Sequence, residues 1–467
     1  MESIFQKAQK IYFVGIKGSG MAALVEIFKK MGKEVTGSDT TEKFFTDQVL
    51  KKIGVNFFEG FDGKNIQKAG RVDLVIYSTA YSAKNNPELE FAEKKGIPLI
   101  SYPEAIGILM KNKVGIAVCG THGKTTTTAM LALALKEAGA DPTAIVGSRI
   151  NQVGSNALVG ESNYFIVEAD EYQNKFLNYN PMAVVLTSLD FDHPDFFKDF
   201  NAYKKAFIDF VGKIPTHGFL VAWGGSNSTL EVAQKANCEV ILYDFFSNEK
   251  KEEIEKMFGN KMSKTSFFEI PGDLKLRVPG RHNLLNAGAV LAVCQKLKIS
   301  QEKAKKALEN YQGTARRFEK LGEYQGALII DDYAHHPEEI RATLKAAKEK
   351  YPEKRIICVF HPHTFSRTEA LLLGFSRSFD DCDELIVLDV YGSAREKEGK
   401  IGSAELVKEI SKLRPNVFHL PKIEEAVFFL RKKLRKGDLL LTMGAGNVNE
   451  VGQALLKNKG MKECQKR

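Results

Sequence analysis

Short apolar runs rich in valine and isoleucine alternate with amphipathic helical stretches from one end of the sequence to the other. That alternation restricts the chain to parallel sheets covered by helices on both faces, so the expected class is α/β throughout. Ile11-Tyr12-Phe13-Val14 reads as a buried strand, and Met21, Leu24, Val25 and Phe28 then share one helical face. Further strands are expected at 73–77 and 98–100, and Pro103 opens a helix that ends near Lys111-Asn112-Lys113. Beyond it come strands at 114–119, 164–169 and 183–187, a helix after Arg281-His282-Asn283 and a charged helix at 301–311. Strands at 327–331, 355–360, 384–388 and 438–442 complete the series. A chain of 467 residues is too long for one core, which predicts three domains. They are a Rossmann-like N-terminal domain over 1–111, a central P-loop ATPase-like domain over 112–312 and a Rossmann-like C-terminal domain over 313–467.

Composition excludes several classes. The chain is 43% hydrophobic and 27% charged, with no apolar run of the ~20 residues a bilayer span needs. No basic segment followed by an apolar stretch and a cleavage site stands at Met1-Glu2-Ser3, so the cytoplasm is the expected compartment and no membrane partner is expected. Cys119, Cys238, Cys294, Cys358, Cys382 and Cys464 form no C-x-x-C pair and read as reduced, mostly buried thiols. The net charge of +9 lacks the basic stripe of a nucleic-acid binder but suits small anionic substrates. Residues 457–467 read as a solvated Lys-rich tail, and the oligomeric state is left undetermined.

The strongest chemical signal is Gly120-Thr121-His122-Gly123-Lys124-Thr125-Thr126, between a strand and a helix. Glycines let backbone N–H groups close around phosphate oxygens, and the helix N-terminus adds positive potential. Lys124 then reaches the outer phosphates of a nucleoside triphosphate, and the Thr125 hydroxyl is a Mg²⁺ ligand. The loop is shorter than the standard P-loop, which has glycine where Val118 stands. A parallel strand delivers Glu168-Ala169-Asp170-Glu171 at its C-terminal end, and another ends near Asp190-Phe191-Asp192-His193. Glu171 and His193 are the expected metal ligands, with Asp170, Asp192 and Asp195 structural.

Gly15-Ile16-Lys17-Gly18-Ser19-Gly20-Met21 also follows a strand, with Asp39 downstream. Such a turn accepts the diphosphate of a nucleotide-linked substrate as readily as NAD. In the third domain, Arg316-Arg317-Phe318, Asp331-Asp332-Tyr333-Ala334-His335-His336-Pro337 and His361-Pro362-His363-Thr364-Phe365-Ser366-Arg367 place basic and imidazole groups near two strand ends. Such groups clamp phosphates or a carboxylate, with Arg317, Asp332, His336 and Arg367 the leading candidates. Two other classes fit parts of the pattern. A nicotinamide oxidoreductase uses Gly18, Gly20 and Asp39 but leaves the second loop without a role, and a non-catalytic ATP switch leaves the first one unexplained.

With these residues in hand, nearly the whole chain resembles the Mur ligase family of peptidoglycan and cell-wall biosynthesis. Gly15 to Met21 is similar to its UDP-binding loop, and Gly120 to Thr127 to its G-T-H-G-K-T-T-T signature. The resemblance implies ATP and Mg²⁺ as cofactors, with UDP-N-acetylmuramate and L-alanine as small-molecule substrates joined through an acyl phosphate. It implies a substrate set of Gly15, Gly18, Ser19, Gly20, Met21, Asp39, Ser78, His335 and His336. The implied ATP set adds His282, Asn283, Asn286, Arg317 and Asp332 to the loop residues. Lys124, His193, Arg317, His336 and Arg367 are the implied catalytic groups, and the third domain is expected to close on ATP and amino acid. Three positions depart from the family's usual pattern: Tyr172-Gln173 after E-A-D-E, Ser188, and Thr364 where arginine is common. Residues 190–197 resemble the family's peptide-adding members, which leaves the amine open between an amino acid and a tripeptide.

Overall fold

The computed structural model describes residues 4–392, 396 and 398–457. Cys464 and all of the expected tail but Lys457 lie outside them. Among the described residues the strands form three sheets. The first contains β1 (Lys10–Val14), β2 (Glu34–Asp39), β3 (Phe57–Glu59), β4 (Leu74–Tyr77) and β5 (Leu99–Ser101), in the parallel order β3-β2-β1-β4-β5. The chain leaves β1 for β2 on one side and later returns through β4 on the other. The C-terminal end of β1 is therefore a topological switch point, where ligands of open parallel sheets bind. The Gly15 turn sits there. The following helix, Ser19–Lys30, buries Met21, Leu24, Val25 and Phe28 as their spacing predicts.

The second sheet contains β6 (Val114–Cys119), β7 (Thr143–Ile150), β8 (Ser155–Leu158), β9 (Tyr164–Glu168), β10 (Ala183–Leu186), β11 (Phe219–Trp223), β12 (Glu239–Asp244) and β13 (Thr265–Glu269). Its order is β13-β12-β11-β10-β6-β9-β7-β8, parallel except for β8, which returns antiparallel along β7. β6 is flanked by β9 and β10, so three strand ends converge on Gly120. The helix that follows, Lys124–Glu137, is buried from Thr125 to Leu135 on every side, which explains why it carries no polar stripe.

The third sheet contains β14 (Glu319–Tyr324), β15 (Ala327–Asp332), β16 (Ile356–Phe360), β17 (Glu384–Val387), β18 (Val417–His419) and β19 (Leu439–Met443), in the order β14-β15-β19-β16-β17-β18. Only β14 is antiparallel. Successive residues of the central strands enter opposite cores. Ile330, Cys358, Leu385 and Leu441 pack on one face, and Ile329, Ile357, Ile386 and Leu440 on the other. Burial on both faces is why these strands read as continuous apolar runs.

The chain divides into two compact units, one of Met1–Leu189, Lys204–Leu274 and Asn286–Asn310, the other of Asp190–Tyr203, Lys275–Leu285 and Tyr311–Arg467. The first unit holds the first two sheets, because the helix Ser19–Lys30 lies against the β7–β8 hairpin. Asn156 of β8 donates to Ser19 O, Ser155 Oγ donates to the Glu26 carboxylate, and Lys30 reaches Val159 O. The second unit holds the third sheet and both short excursions. The five described cysteines are free and buried. No described helix is long and apolar enough to cross a membrane.

Candidate active site

The loop after β6 is shaped by two glycines in left-handed conformations. A Cβ on Gly120 (φ 128) would collide with the Thr187 hydroxyl, and one on Gly123 (φ 80) would stand 2.5 Å from Asn286 Oδ1. The end of β10 clasps the loop from the side. His122 N donates to Ser188 Oγ at 2.8 Å, Thr121 N to Ser188 O at 3.1 Å, and the Thr187 hydroxyl to Cys119 O at 3.1 Å. Asn286, the more distant of the expected adenine-side residues in sequence, is thus brought against the loop.

Lys124 folds back over this loop, donating to Gly120 O and, at 3.1 Å, to Thr121 O. Its ammonium also lies 3.1 Å from Glu171, a side chain only 1% exposed. Burial pushes the lysine's pKa down, but the carboxylates of Glu171, Asp170 and Glu168 outweigh it and raise the value overall. The Thr125 hydroxyl donates to Glu168 Oε1 at 2.9 Å. Glu168 ends β9, beside Val118 of β6, so the acid that meets the loop threonine is the first of E-A-D-E. Glu171, the expected metal ligand, forms an ion pair with Lys124. Sequence reasoning left Glu168 out because it lies inside the strand it terminates. Its signal was available, since the last residue of a parallel strand adjoining a phosphate loop faces that loop.

At the first sheet, Gly15 (φ 83) has Ser78 Cβ 3.0 Å and the Tyr81 ring 2.9 Å from where its own Cβ would stand, and a Cβ on Gly20 would strike the Tyr102 ring. Ser78 is therefore beside the turn. Asp39 is buried and accepts from Lys17 N at 2.6 Å and Thr40 N at 2.7 Å, so it braces the turn's own backbone. Burial raises its pKa against the pull of those bonds. Lys17, unremarked in the sequence, is itself buried and spans to Thr40 O (2.7 Å), Glu42 O (2.8 Å) and Asp47 (3.4 Å). Gly18, Ser19 and Met21 complete the helix N-terminus.

The second unit carries the other candidates. Arg316 is structural, tied to Asp331 at 2.9 Å and to the carbonyls of Gly444 and Gly446. Arg317 lies with its guanidinium 5.0 Å from the centre of the Tyr333 ring. Asp332 accepts from Phe318 N (2.7 Å) and Ala334 N (2.8 Å), and burial pushes it up to about 6 despite Arg317. His335 Nδ1 lies 3.0 Å from Tyr333 O and 3.2 Å from Glu339. His336 caps the helix Pro337–Lys350: its Nδ1 accepts from Glu338 N at 3.3 Å, and Nε2 lies 3.2 Å from Phe191 O. Arg367, 4% exposed, donates from Nε to Asp192 at 2.8 Å and from Nη1 to His363. Buried Asp192 is held well below the usual carboxylate range, because Arg367, His193 and His335 outweigh its desolvation. Its neighbour His193 sits at φ 56, with its N–H on Asp192 Oδ1 at 2.7 Å. Asn283 Nδ2 donates to Pro279 O at 2.6 Å, and His282 packs on Gly280, both in the first turn of the helix Arg281–Lys296. Thr364 adopts φ 67 and ψ 140, a costly conformation for a β-branched residue, with its N–H on Tyr391 O at 3.0 Å. No cluster of three or more His, Cys, Asp or Glu suited to a metal is present among the described residues.

A glycine turn at the switch point of one parallel sheet and a glycine loop with a half-buried lysine in the next define an α/β protein with two loops of the kind that hold phosphorylated ligands. Three family models cover it: the catalytic domain of the Mur ligase family over residues 10–114, the Mur ligase middle domain over 118–294 and the Mur ligase glutamate ligase domain over 316–446. The UDP-N-acetylmuramate–L-alanine ligase of Desulfitobacterium hafniense is 42% identical over 451 residues, 96% of this chain and 99% of that one. That of Caldanaerobacter subterraneus is 39% identical over 464 residues, covering 98% and 99%. Among solved structures, the UDP-N-acetylmuramate-alanine ligase of Thermotoga maritima superposes with a TM-score of 0.75 at 25% identity, over 97% of this chain and 99% of that one. A murein peptide ligase of Psychrobacter arcticus shares the fold, with a TM-score of 0.66 at 23% identity over 96% and 98%. The chain belongs to the Mur ligase family.

Proposed function

We propose that this chain is an ATP-dependent ligase that joins L-alanine to the carboxylate of UDP-N-acetylmuramate, in the synthesis of peptidoglycan precursors. The observation that carries the reading is the half-buried Lys124, held by Glu171 and the loop carbonyls. The curated relatives' names supply the substrates. In this reading 1–111 bind the sugar nucleotide, 112–312 bind ATP and 313–467 complete the site. Gly15, Gly18, Ser19, Gly20 and Met21, with Ser78 beside them and Asp39 bracing the turn, take the diphosphate.

A free carboxylate is a poor electrophile at neutral pH. Its oxygen attacks the γ-phosphorus of ATP, ADP leaves, and the resulting acyl phosphate has phosphate as its leaving group. The amine of L-alanine then forms the C–N bond at the acyl carbon, phosphate departs and the amine nitrogen loses a proton. Lys124, released from Glu171 when phosphate enters, neutralises charge on the transferring group, and Arg317 adds to it. Asn286 borders the nucleotide beside Gly123, with His282, Asn283 and Asp332 assigned to its adenosine side by family resemblance. His335 and Arg367 serve the reacting carboxylate and amine. His336 has both ring nitrogens engaged, so we assign it a positioning role.

The Thr125 hydroxyl and Glu168 carboxylate are hard oxygen donors 2.9 Å apart, and they would hold a Mg²⁺. Such an ion supplies charge neutralisation at the phosphates. Glu171, which also pairs with Lys124, remains a candidate ligand, and His193 remains our ligand for a second ion. Glu168→Gln should raise the Mg²⁺ concentration for half-maximal rate by ~10–100-fold, the scale for perturbing groups around a metal. An unchanged Mg²⁺ titration would remove Glu168 from the site.

The deciding experiment incubates the protein with ATP, Mg²⁺ and UDP-N-acetylmuramate, plus either L-alanine or the tripeptide L-alanyl-γ-D-glutamyl-meso-diaminopimelate, and weighs the products. Alanine adduct with stoichiometric ADP is expected. Adduct from the tripeptide alone would refute the choice of amine, and nicotinamide-dependent turnover without ATP would refute the ligase.

A further inference from the structure

Asn156 is fully buried in β8, and its side-chain amide bridges two backbone carbonyls, Ser19 O at 2.8 Å and Val146 O at 3.1 Å. Ser19 opens the helix whose N-terminus carries the first glycine turn. Val146 lies where the pairing of β7 with β8 is interrupted, between Ile145 and Ile150. The C=O of Val146 and the N–H of Gly147 belong to one peptide group, and that N–H donates to Glu168 Oε2 at 2.6 Å. The other carboxylate oxygen accepts from Thr125 at the head of the second loop's helix. A single chain therefore runs Ser19, Asn156, the 146–147 peptide, Glu168, Thr125. The links run from the buried Asn156–Val146 bond to the exposed Gly147–Glu168 bond, and each fixes the position of the next, so a displacement at one end is felt at the other.

Two features make this chain a link rather than loose packing. A Cβ on Gly147 would stand 2.5 Å from Glu168 Oε2, so glycine is what permits the peptide to meet the carboxylate. The helix Ser19–Lys30 is also pinned at its far end, by Lys30 on Val159 O, and is not free to slide when its first turn takes up a ligand.

We propose that Asn156 is a positioning residue that couples the two phosphate loops. Sugar nucleotide in the first loop thereby tightens ATP in the second, and by linkage ATP tightens the sugar nucleotide by the same factor. The inference rests on the ligands named above.

The test measures, by calorimetry on the full chain, the affinity for a non-hydrolysable ATP analogue with Mg²⁺, alone and with saturating UDP-N-acetylmuramate. We expect the sugar nucleotide to tighten the analogue by at least ~5-fold, the lower end of ordinary allosteric coupling. Asn156→Ala should bring that factor below about 2 while leaving each lone affinity within about threefold, and Ser155→Ala, which loosens the same hairpin outside the chain of bonds, should keep it. A merely structural asparagine would lower thermal stability and leave the factor alone. A wild-type factor of one with both ligands bound would overturn the coupling and leave the ligase reading standing, and needs no variant to fold. So would a factor retained in Asn156→Ala, or lost equally in Ser155→Ala. A chain that binds no sugar nucleotide at all overturns both readings.

Discussion

Lys124→Ala is expected to lower the rate of ligation by on the order of 10³-fold, the scale at which one preorganised charge on a developing oxyanion or transferring phosphoryl group acts. The ammonium is already in place before ATP arrives, tied to Glu171 and to its own loop. Its reorganisation on binding is an exchange of partners, carboxylate for phosphate. The same contact complicates the variant, because removing the lysine takes the ammonium away from a nearly inaccessible carboxylate, and breaking such a pair costs about 3–5 kcal/mol. Lost activity then has to be separated from lost structure. Lys124→Ala combined with Glu171→Gln separates the two, since the neutral amide removes the carboxylate charge. The double variant should recover thermal stability and remain inactive, read as ADP release and product mass under saturating substrates. Normal ligation by either variant would remove Lys124 from the chemistry.

What the sequence made legible follows from what each residue depends on. β6, β10, β15 and β16 were readable because strands buried on both faces carry continuous apolar runs, and the loop after β6 because its glycines and lysine are close in sequence. β14 was not, because Glu319-Lys320-Leu321-Gly322-Glu323-Tyr324 is a solvent-facing edge strand whose charges and glycine resemble a loop. β7 and β8 were missed for a related reason, since β7 is interrupted at Gly147 and β8 is four residues long. Within the site, sequence reasoning did not single out the carboxylate of E-A-D-E that meets the loop threonine. Glu168 and Glu171 are three residues apart, but only the strand register, Val118 opposite Glu168, says which one faces Thr125. Lys17 and Asn156 escaped notice because their meaning lies in backbone carbonyls far along the chain, and a carbonyl has no letter in the sequence.

The second unit should loosen steeply in mild acid. Burial lowers His335 to about 3, and His361 and His363 to about 4, with Arg367 adding to the fall at His335 and His363 and Arg316 at His361. An unfolded histidine titrates near 6.5, so below that pH the unfolded chain binds three protons that the folded unit refuses. Folded pKa values below the unfolded ones mean that stability falls as pH drops from about 6.5 toward 4. Asp332 works the other way: burial raises it to about 6, so the folded unit takes up a proton there before the unfolded chain does. Asp331, also raised by burial, opposes in the same sense. Asp192 enters only lower down, because its depressed value preserves its contribution until the pH falls below the unfolded carboxylate range near 4. With three histidines against Asp332 and Asp331, the balance is one to two protons, on the order of 1–3 kcal/mol of stability lost per pH unit between 6 and 5. The single tryptophan, Trp223, lies in the first unit and will not report this transition. Hydrogen exchange resolved to peptides from 311–457 will. Their protection should fall sharply between pH 6 and 5 after correction for intrinsic exchange, and His363→Gln, which keeps an acceptor for Arg367 and does not titrate, should flatten the slope by on the order of 1 kcal/mol per pH unit. Protection that stays level across that interval would show that these imidazoles take up protons without unfolding the unit, and that their burial yields readily to water.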